Sequence, residues 1–132
     1  MILADTSAWV EYLRATGSAT DRRVSDLIAS DGPLTVTEPV VMEVLAGART
    51  DRLETKLRSL LSRFPLLRFD PVIDFDAATH IYRSCRRVGV TPRGFVDCMI
   101  ASVAARHDAI LLAVDGDLVR IAEVIGIPVD DG

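Results

Sequence analysis

Six consecutive apolar residues at positions 109–114 set the terms for this fold. A run of that length with no polar member reads as a strand buried on both faces, and such a strand needs helices above and below its sheet. Residues 1–4 and 33–37 read as further strands, as do the short stretches 66–69 and 127–129. Between them the period changes. Residues 7–14 carry Trp9, Val10 and Leu13 at helical spacing, and 21–29 repeat the pattern with Val24, Leu27 and Ile28. Helices are expected at 37–48, with Pro39 in its first turn, and at 49–64, 74–88, 95–107 and 117–125. Strands alternating with helices predict a three-layer α/β/α sandwich with a mainly parallel central sheet. The 132-residue length fits a single domain over 1–132.

Several classes drop out. An apolar run of six residues is far short of a membrane span. The start Met1-Ile2-Leu3-Ala4 meets Asp5 at once and does not read as a secretory signal. Two cysteines, Cys85 and Cys98, lack metal-type spacing, which suggests a reduced, cytoplasmic protein. The net charge is −4, with Arg supplying fourteen of the fifteen basic residues and Asp fourteen of the nineteen acids. A globally acidic chain is an unusual partner for nucleic acid unless bound cations reverse the local sign.

Ligands of open parallel sheets bind beyond the carboxyl ends of the strands. Asp5 follows the first strand and Asp115 follows the 109–114 strand. Each has a plain reading as well: Asp5 as a helix N-cap, Asp115 as the first residue of an Asp-Gly turn. Asp97 interrupts the apolar helical stretch Phe95-Val96-Asp97-Cys98-Met99-Ile100-Ala101. A carboxylate there is costly unless it caps the helix or pairs with a cation such as Arg93. Glu43, in Pro39-Val40-Val41-Met42-Glu43-Val44-Leu45, reads by itself as the solvent face of its helix. Gathered together, such acids must take up protons or a cation. Oxygen-only ligands favour hard divalent ions such as Mg2+ or Mn2+, which suit phosphodiester hydrolysis.

The ordered set Asp5-Thr6-Ser7, Glu43, Asp97 before Met99-Ile100-Ala101, and Asp115-x-Asp117 after an apolar strand resembles the PIN domain. More narrowly it resembles the VapC ribonuclease toxins of bacterial toxin–antitoxin pairs, from residue 1 to about 129. The resemblance implies a parallel sheet between helices and an endoribonuclease site in which Asp5, Glu43, Asp97 and Asp115 bind Mg2+ or Mn2+. Asp117 would be a further acid and Ser7 a supporting hydroxyl. The resemblance also implies a VapB-like antitoxin that wraps the groove, a homodimer, and contact with DNA only through the antitoxin. Two positions depart from the commoner family pattern. Ala113 stands where many relatives have Thr, which removes a hydroxyl able to bond a metal ligand, and Leu118 stands where many have Phe.

Other residues carry weaker signals. Arg93 reads equally as a neutraliser of the acids, an RNA or partner contact, or a plain loop residue. Arg49, Arg52, Lys56 and Arg58 interleave with Asp51 and Glu54, as on a solvated helix with internal ion pairs. His80 and His107 are expected at the surface, and Cys98, Trp9 and Tyr12 in the core or an interface. An acidic docking module for a basic partner, with weak or absent catalysis, is the competing function. A haloacid-type phosphatase would want Asp-x-Asp where Asp5-Thr6-Ser7 stands. A phospho-receiver would want a lysine near the end of the sheet, where the chain's single lysine, Lys56, does not fall.

Overall fold

The computed structural model describes residues 1–130; the last two positions of the expected domain lie outside the described residues. The order along the chain is β1 (Ile2–Ala4), α1 (Thr6–Leu13), α2 (Ala19–Ala29), β2 (Leu34–Thr35), α3 (Glu38–Ala46), α4 (Asp51–Leu61), α5 (Asp74–Arg87), α6 (Phe95–Arg106), β3 (Ile110–Leu112) and α7 (Gly116–Ile125). The sheet is parallel throughout, in the order β2-β1-β3. Every residue of β1 and β2 is buried, so both faces are covered, as an apolar parallel sheet demands. On the helical side, α1 packs on α2 and α3, and α3 on α4, while α5, α6 and α7 pack on one another. This is the expected α/β architecture.

The first strand is the central one. The chain goes to one side of β1 for β2 and to the other for β3. The strand order therefore reverses beside the carboxyl end of β1, and a crevice opens at such a switch point. Asp5 is the first residue beyond that end, and its amide donates to the Leu112 carbonyl at 3.0 Å. β1 and β3 thus deliver their following loops to one place.

Helix starts follow the capping chemistry. Asp5, Ser18, Thr50 and Asp115 each accept a backbone N–H from the first turn of α1, α2, α4 and α7. This is why the 49–64 helix begins at Asp51 and the 21–29 helix two residues early. Two expected strands shrink to single bridges, Leu66 with Val36 and Val129 with Leu111. Each follows a proline, Pro65 or Pro128, whose nitrogen has no hydrogen to extend a ladder.

The core centres on Trp9, Leu3, Leu111, Leu112, Ile100 and Ile121, all fully buried. Cys98 joins it, as expected of a small apolar residue. α4 is the solvated helix its charges suggested, with Glu54 and Arg58 paired across one turn. His80 lies at the surface beside Asp76, whereas His107 is half-buried. It caps the end of α6 where the chain turns down into β3, and among the described residues its buried Nε2 has no hydrogen-bond partner. At that same end, Asp74 of α5 accepts from Ser102 Oγ and from Arg106 Nε and Nη2. This staple fixes the far end of α6 and so sets where its first turn, with Asp97, lies. Among the described residues no helix is long and apolar enough to cross a membrane.

Candidate active site

The acids meet at the carboxyl end of the sheet. Asp5 is only 2% exposed. Its Oδ1 accepts from the Ala8 amide at 3.0 Å and from Ser7 Oγ at 2.7 Å. The plain reading of Asp5 as a cap is therefore correct, and it uses one carboxylate oxygen. Ser7 does more than support Asp5. Its oxygen also accepts from the amides of Val114 and Asp115, at 3.0 and 3.1 Å. One hydroxyl thus ties the loop after β1 to the loop after β3.

Asp115 caps α7 through the Asp117 amide at 2.9 Å, and Arg93 Nη2 donates to the same oxygen at 3.0 Å. Asp117 is buried and accepts from the Arg93 amide at 3.0 Å. Arg93 therefore spans both acids of the Asp115-Gly116-Asp117 turn, rather than Asp97 as the sequence allowed. Glu43 reaches the group from α3, held by Thr6 Oγ1 at 2.6 Å. Thr6 was not singled out from sequence. Its signal was its place beside Asp5, where α1 begins and faces α3.

Asp97, in the first turn of α6, differs from the rest. Among the described residues no donor or cation bonds its carboxylate. Burial, and then the charges of Asp115, Asp5, Asp117 and Glu43, push its pKa up to about 7. Burial likewise lifts Asp5 to about 6, with Asp115 adding to the rise and the Ser7 and Ala8 hydrogen bonds opposing it. Glu43, Asp97 and Asp115 line a cleft of about 400 Å³ together with Arg93, Gly94 and Val96. The fold has gathered like charges without supplying enough protein donors to balance them.

A family model for the PIN domain matches residues 2–124. The chain belongs to the PIN-domain family. Within it, this PIN domain is 46% identical over 125 residues to Ribonuclease VapC11 of Mycobacterium tuberculosis, covering 94% of this chain and 93% of that protein. The same figures hold for a VapC ribonuclease of Mycobacterium bovis. Among solved structures, VapBC2 from Rickettsia felis bound to a promoter DNA fragment has the same fold, with a TM-score of 0.76 at 16% identity, over 98% of both chains.

Does the donor set of this PIN domain fit a divalent cation? Its oxygens are hard carboxylate ligands, and among the described residues Asp97 has no competing partner. The pKa values of Asp5 and Asp97 are raised first by burial and then by neighbouring carboxylates, and a cation would stabilise the charged form of both. Among the described residues, however, no three of these side chains already converge in a closed cage. Arg93 sits on Asp115 in its stead. The donors fit by chemistry and charge, and the guanidinium occupies part of the field a metal would neutralise.

Proposed function

We propose that this PIN domain is a divalent-metal-dependent endoribonuclease, the toxin of a toxin–antitoxin pair. One observation carries the reading: among the described residues nothing bonds the Asp97 carboxylate, and burial and four neighbouring acids push its pKa up to about 7. Strongly perturbed carboxylates in a cleft mark functional sites. The high identity to proteins named as VapC ribonucleases supplies the substrate class.

Asp5, Glu43, Asp97 and Asp115 would hold Mg2+ or Mn2+. The bound ion supplies Lewis acidity toward the scissile phosphate and toward water. The chain's own residues do the rest. Ser7 keeps Asp5 and the Asp115 loop in register through three hydrogen bonds. Thr6 fixes the rotamer of Glu43. Asp117 receives the Arg93 amide and so holds the loop before α6 against α7. The Arg93 side chain, 76% exposed, is placed to leave Asp115 for a phosphate of the substrate or to stay as a neutralising cation.

The partner reading rests on a second groove. Val10, Leu13, Val44, Leu53 and Leu57 line a hollow of about 380 Å³ that shares Glu43 with the acid cleft. An apolar antitoxin segment lying there would bring a basic side chain within reach of the acids, so a VapB-like inhibitor competes with the cation. DNA contact would come through that antitoxin. A separate apolar hollow contains Pro39, Met42, Phe69, Phe75 and Met99. Met42 and Phe75 are each about half exposed, and a second copy of this chain is the proposed cover. Two buried free thiols, Cys85 and Cys98, agree with a reducing cytoplasm.

The test uses purified, antitoxin-free protein on total RNA in Mg2+, Mn2+ or EDTA, with Asp97→Asn alongside. Cleavage that needs metal and disappears in the variant is the expected result. Folded protein that still binds its antitoxin and cuts nothing in either metal would instead establish the acidic docking module. The Arg93–Asp115 pair is the observation that favours this second reading.

A further inference from the structure

On the other side of the α6 N-terminus lies a surface that the acid cleft does not use. Phe95, the first residue of α6, is 61% exposed. Its ring lies against Tyr82 of α5, with centroids 4.9 Å apart and planes tilted by 36°. Thr79, Arg83, Arg86 and Arg87 complete a hollow of about 590 Å³ around the pair. Positions 79, 82, 83, 86 and 87 share one stripe of α5 by their spacing of three and four. All three arginines are exposed, and among the described residues none of them forms an ion pair. A chain of net charge −4 has thus concentrated uncompensated cations on one turn and a half of one helix, around an aromatic pair.

We infer that this aromatic–arginine face binds an unpaired stretch of the RNA substrate, one base stacking on Phe95 and the adjoining phosphates lying on Arg83, Arg86 and Arg87. The inference rests on the ribonuclease reading above. Three observations favour RNA over an acidic protein segment. A flat base has a counterpart in the exposed Phe95 ring, whereas an acidic peptide would use the arginines and leave the ring idle. Stacking platforms beside basic grooves are the recurrent design for unpaired nucleic acid. The face is also continuous with the acids. Gly94 and Val96, which flank Phe95 in sequence, line the acid cleft, and Asp97 follows two residues on. A strand with its scissile phosphate at the acids leaves that cleft across Phe95. Recognition and hydrolysis are then separated: the acids are blind to sequence, and the stack and the arginines hold the neighbouring nucleotides. Phe95 is a positioning residue on this account and does no chemistry.

The experiment uses the full chain and a fluorescein-labelled, unstructured oligoribonucleotide in EDTA, so that binding is read without cleavage. Phe95→Leu keeps the apolar bulk and loses the stack; it weakens binding about tenfold, within the range of one base–aromatic stack. Phe95→Tyr restores it. The triple variant Arg83→Ala/Arg86→Ala/Arg87→Ala lowers the slope of log K against log salt by about 2, since each phosphate contact on a single strand contributes about 0.7. Phe95→Trp gives a direct optical signal, because Trp9 is fully buried and only the new indole meets the bases; RNA quenches it. In Mg2+, Phe95→Leu raises KM and leaves kcat unchanged. Wild-type affinity in both Phe95→Leu and the triple variant, with cleavage intact, overturns this inference and spares the ribonuclease reading. The same holds if the triple variant loses antitoxin binding alone. A wild-type chain that neither binds nor cuts RNA overturns both.

Discussion

Two carboxylates sit against opposite ends of α6, and the fold treats them in opposite ways. Asp74 is completely buried at the C-terminal end. Burial alone would raise its pKa, but Arg106 donates twice, Ser102 once and the Asp70 amide once, and together they hold it below the ordinary carboxylate value. At the N-terminal end the partial burial of Asp97, and then the charges of four neighbouring acids, push it up to about 7, and among the described residues nothing donates to it. The same residue type serves stability at one end of α6, from α5, and stores electrostatic tension at the other, on α6 itself. Burial does not separate the two cases; the partners do. A satisfied buried charge is an element of the frame, and an unsatisfied one among like charges is a candidate for chemistry.

Breaking the contrast at its tense end gives the largest effect. Asp97→Asn is expected to reduce RNA cleavage by more than the roughly 10–100-fold that loss of a partner around a metal ligand costs. In EDTA the same variant should melt a few degrees higher than wild type, because a repelled charge has been removed. Scanning calorimetry and a cleavage assay on one preparation check both. A variant that loses stability together with activity would make Asp97 part of the frame.

Breaking it at the satisfied end should do the reverse. Asp74→Ala leaves the Arg106 guanidinium partly buried without its bidentate acceptor and strands the Ser102 hydroxyl. Removal of one member of a buried pair costs about 3–5 kcal/mol. Arg106 keeps some access to water, so the lower end applies, a fall in melting temperature on the order of 10 °C. Cleavage per folded molecule should fall much less than in Asp97→Asn, as the acids are untouched.

The pH dependence of the metal-free protein sharpens the same comparison. The folded pKa values of Asp5 and Asp97, about 6 and about 7, lie above the ordinary 3.8. Both groups take up protons more readily when folded, so stability in EDTA rises as pH falls from about 7.5 toward 5. Asp74 has the opposite sign. Its folded pKa is depressed, so its contribution is present above pH 4 and is lost as pH falls further. Melting temperature against pH in EDTA should therefore pass through a maximum on the acid side of neutrality. Asp97→Asn flattens the upper limb and Asp74→Asn the lower one.

The contrast was only half legible in the sequence. Asp97 was conspicuous because it breaks an apolar helical stretch, and Asp5 and Asp115 because they follow strands whose apolar character is unambiguous. Glu43 gave no signal of its own, since any helix needs a solvent face; its order among the other acids supplied the meaning. The parallel sheet could be read from the 109–114 run, whereas strands 66–69 and 127–129 were overread because composition does not reveal a ladder interrupted at Pro65 and Pro128. Asp74 and Arg106 lie 32 residues apart, and nothing local marks either as half of a buried pair. Arg93 could be read as one possible neutraliser of the acids but not matched to one of them, because its distance along the chain allows Asp97 while the turn at Asp115 is where the fold brings it.

Ser7 gives the smallest effect and the most specific one. Its hydroxyl lies at the carboxyl end of the sheet, donating to the Asp5 carboxylate and accepting from two amides of the loop after β3. Ser7→Ala removes all three bonds but no charge. The cost to stability should be about 1–2 kcal/mol, because water can replace part of what is lost at the half-exposed amides. Cleavage should fall about tenfold, the lower bound for loss of a group that orients a metal ligand, and added Mg2+ should recover much of it if Ser7 acts by holding Asp5 and Asp115 in mutual register. Ser7→Thr keeps the hydroxyl and should retain most of the activity. A Ser7→Ala protein that melts lower but cleaves as wild type at every Mg2+ concentration would show that the hydroxyl ties the two loops for the sake of the fold alone.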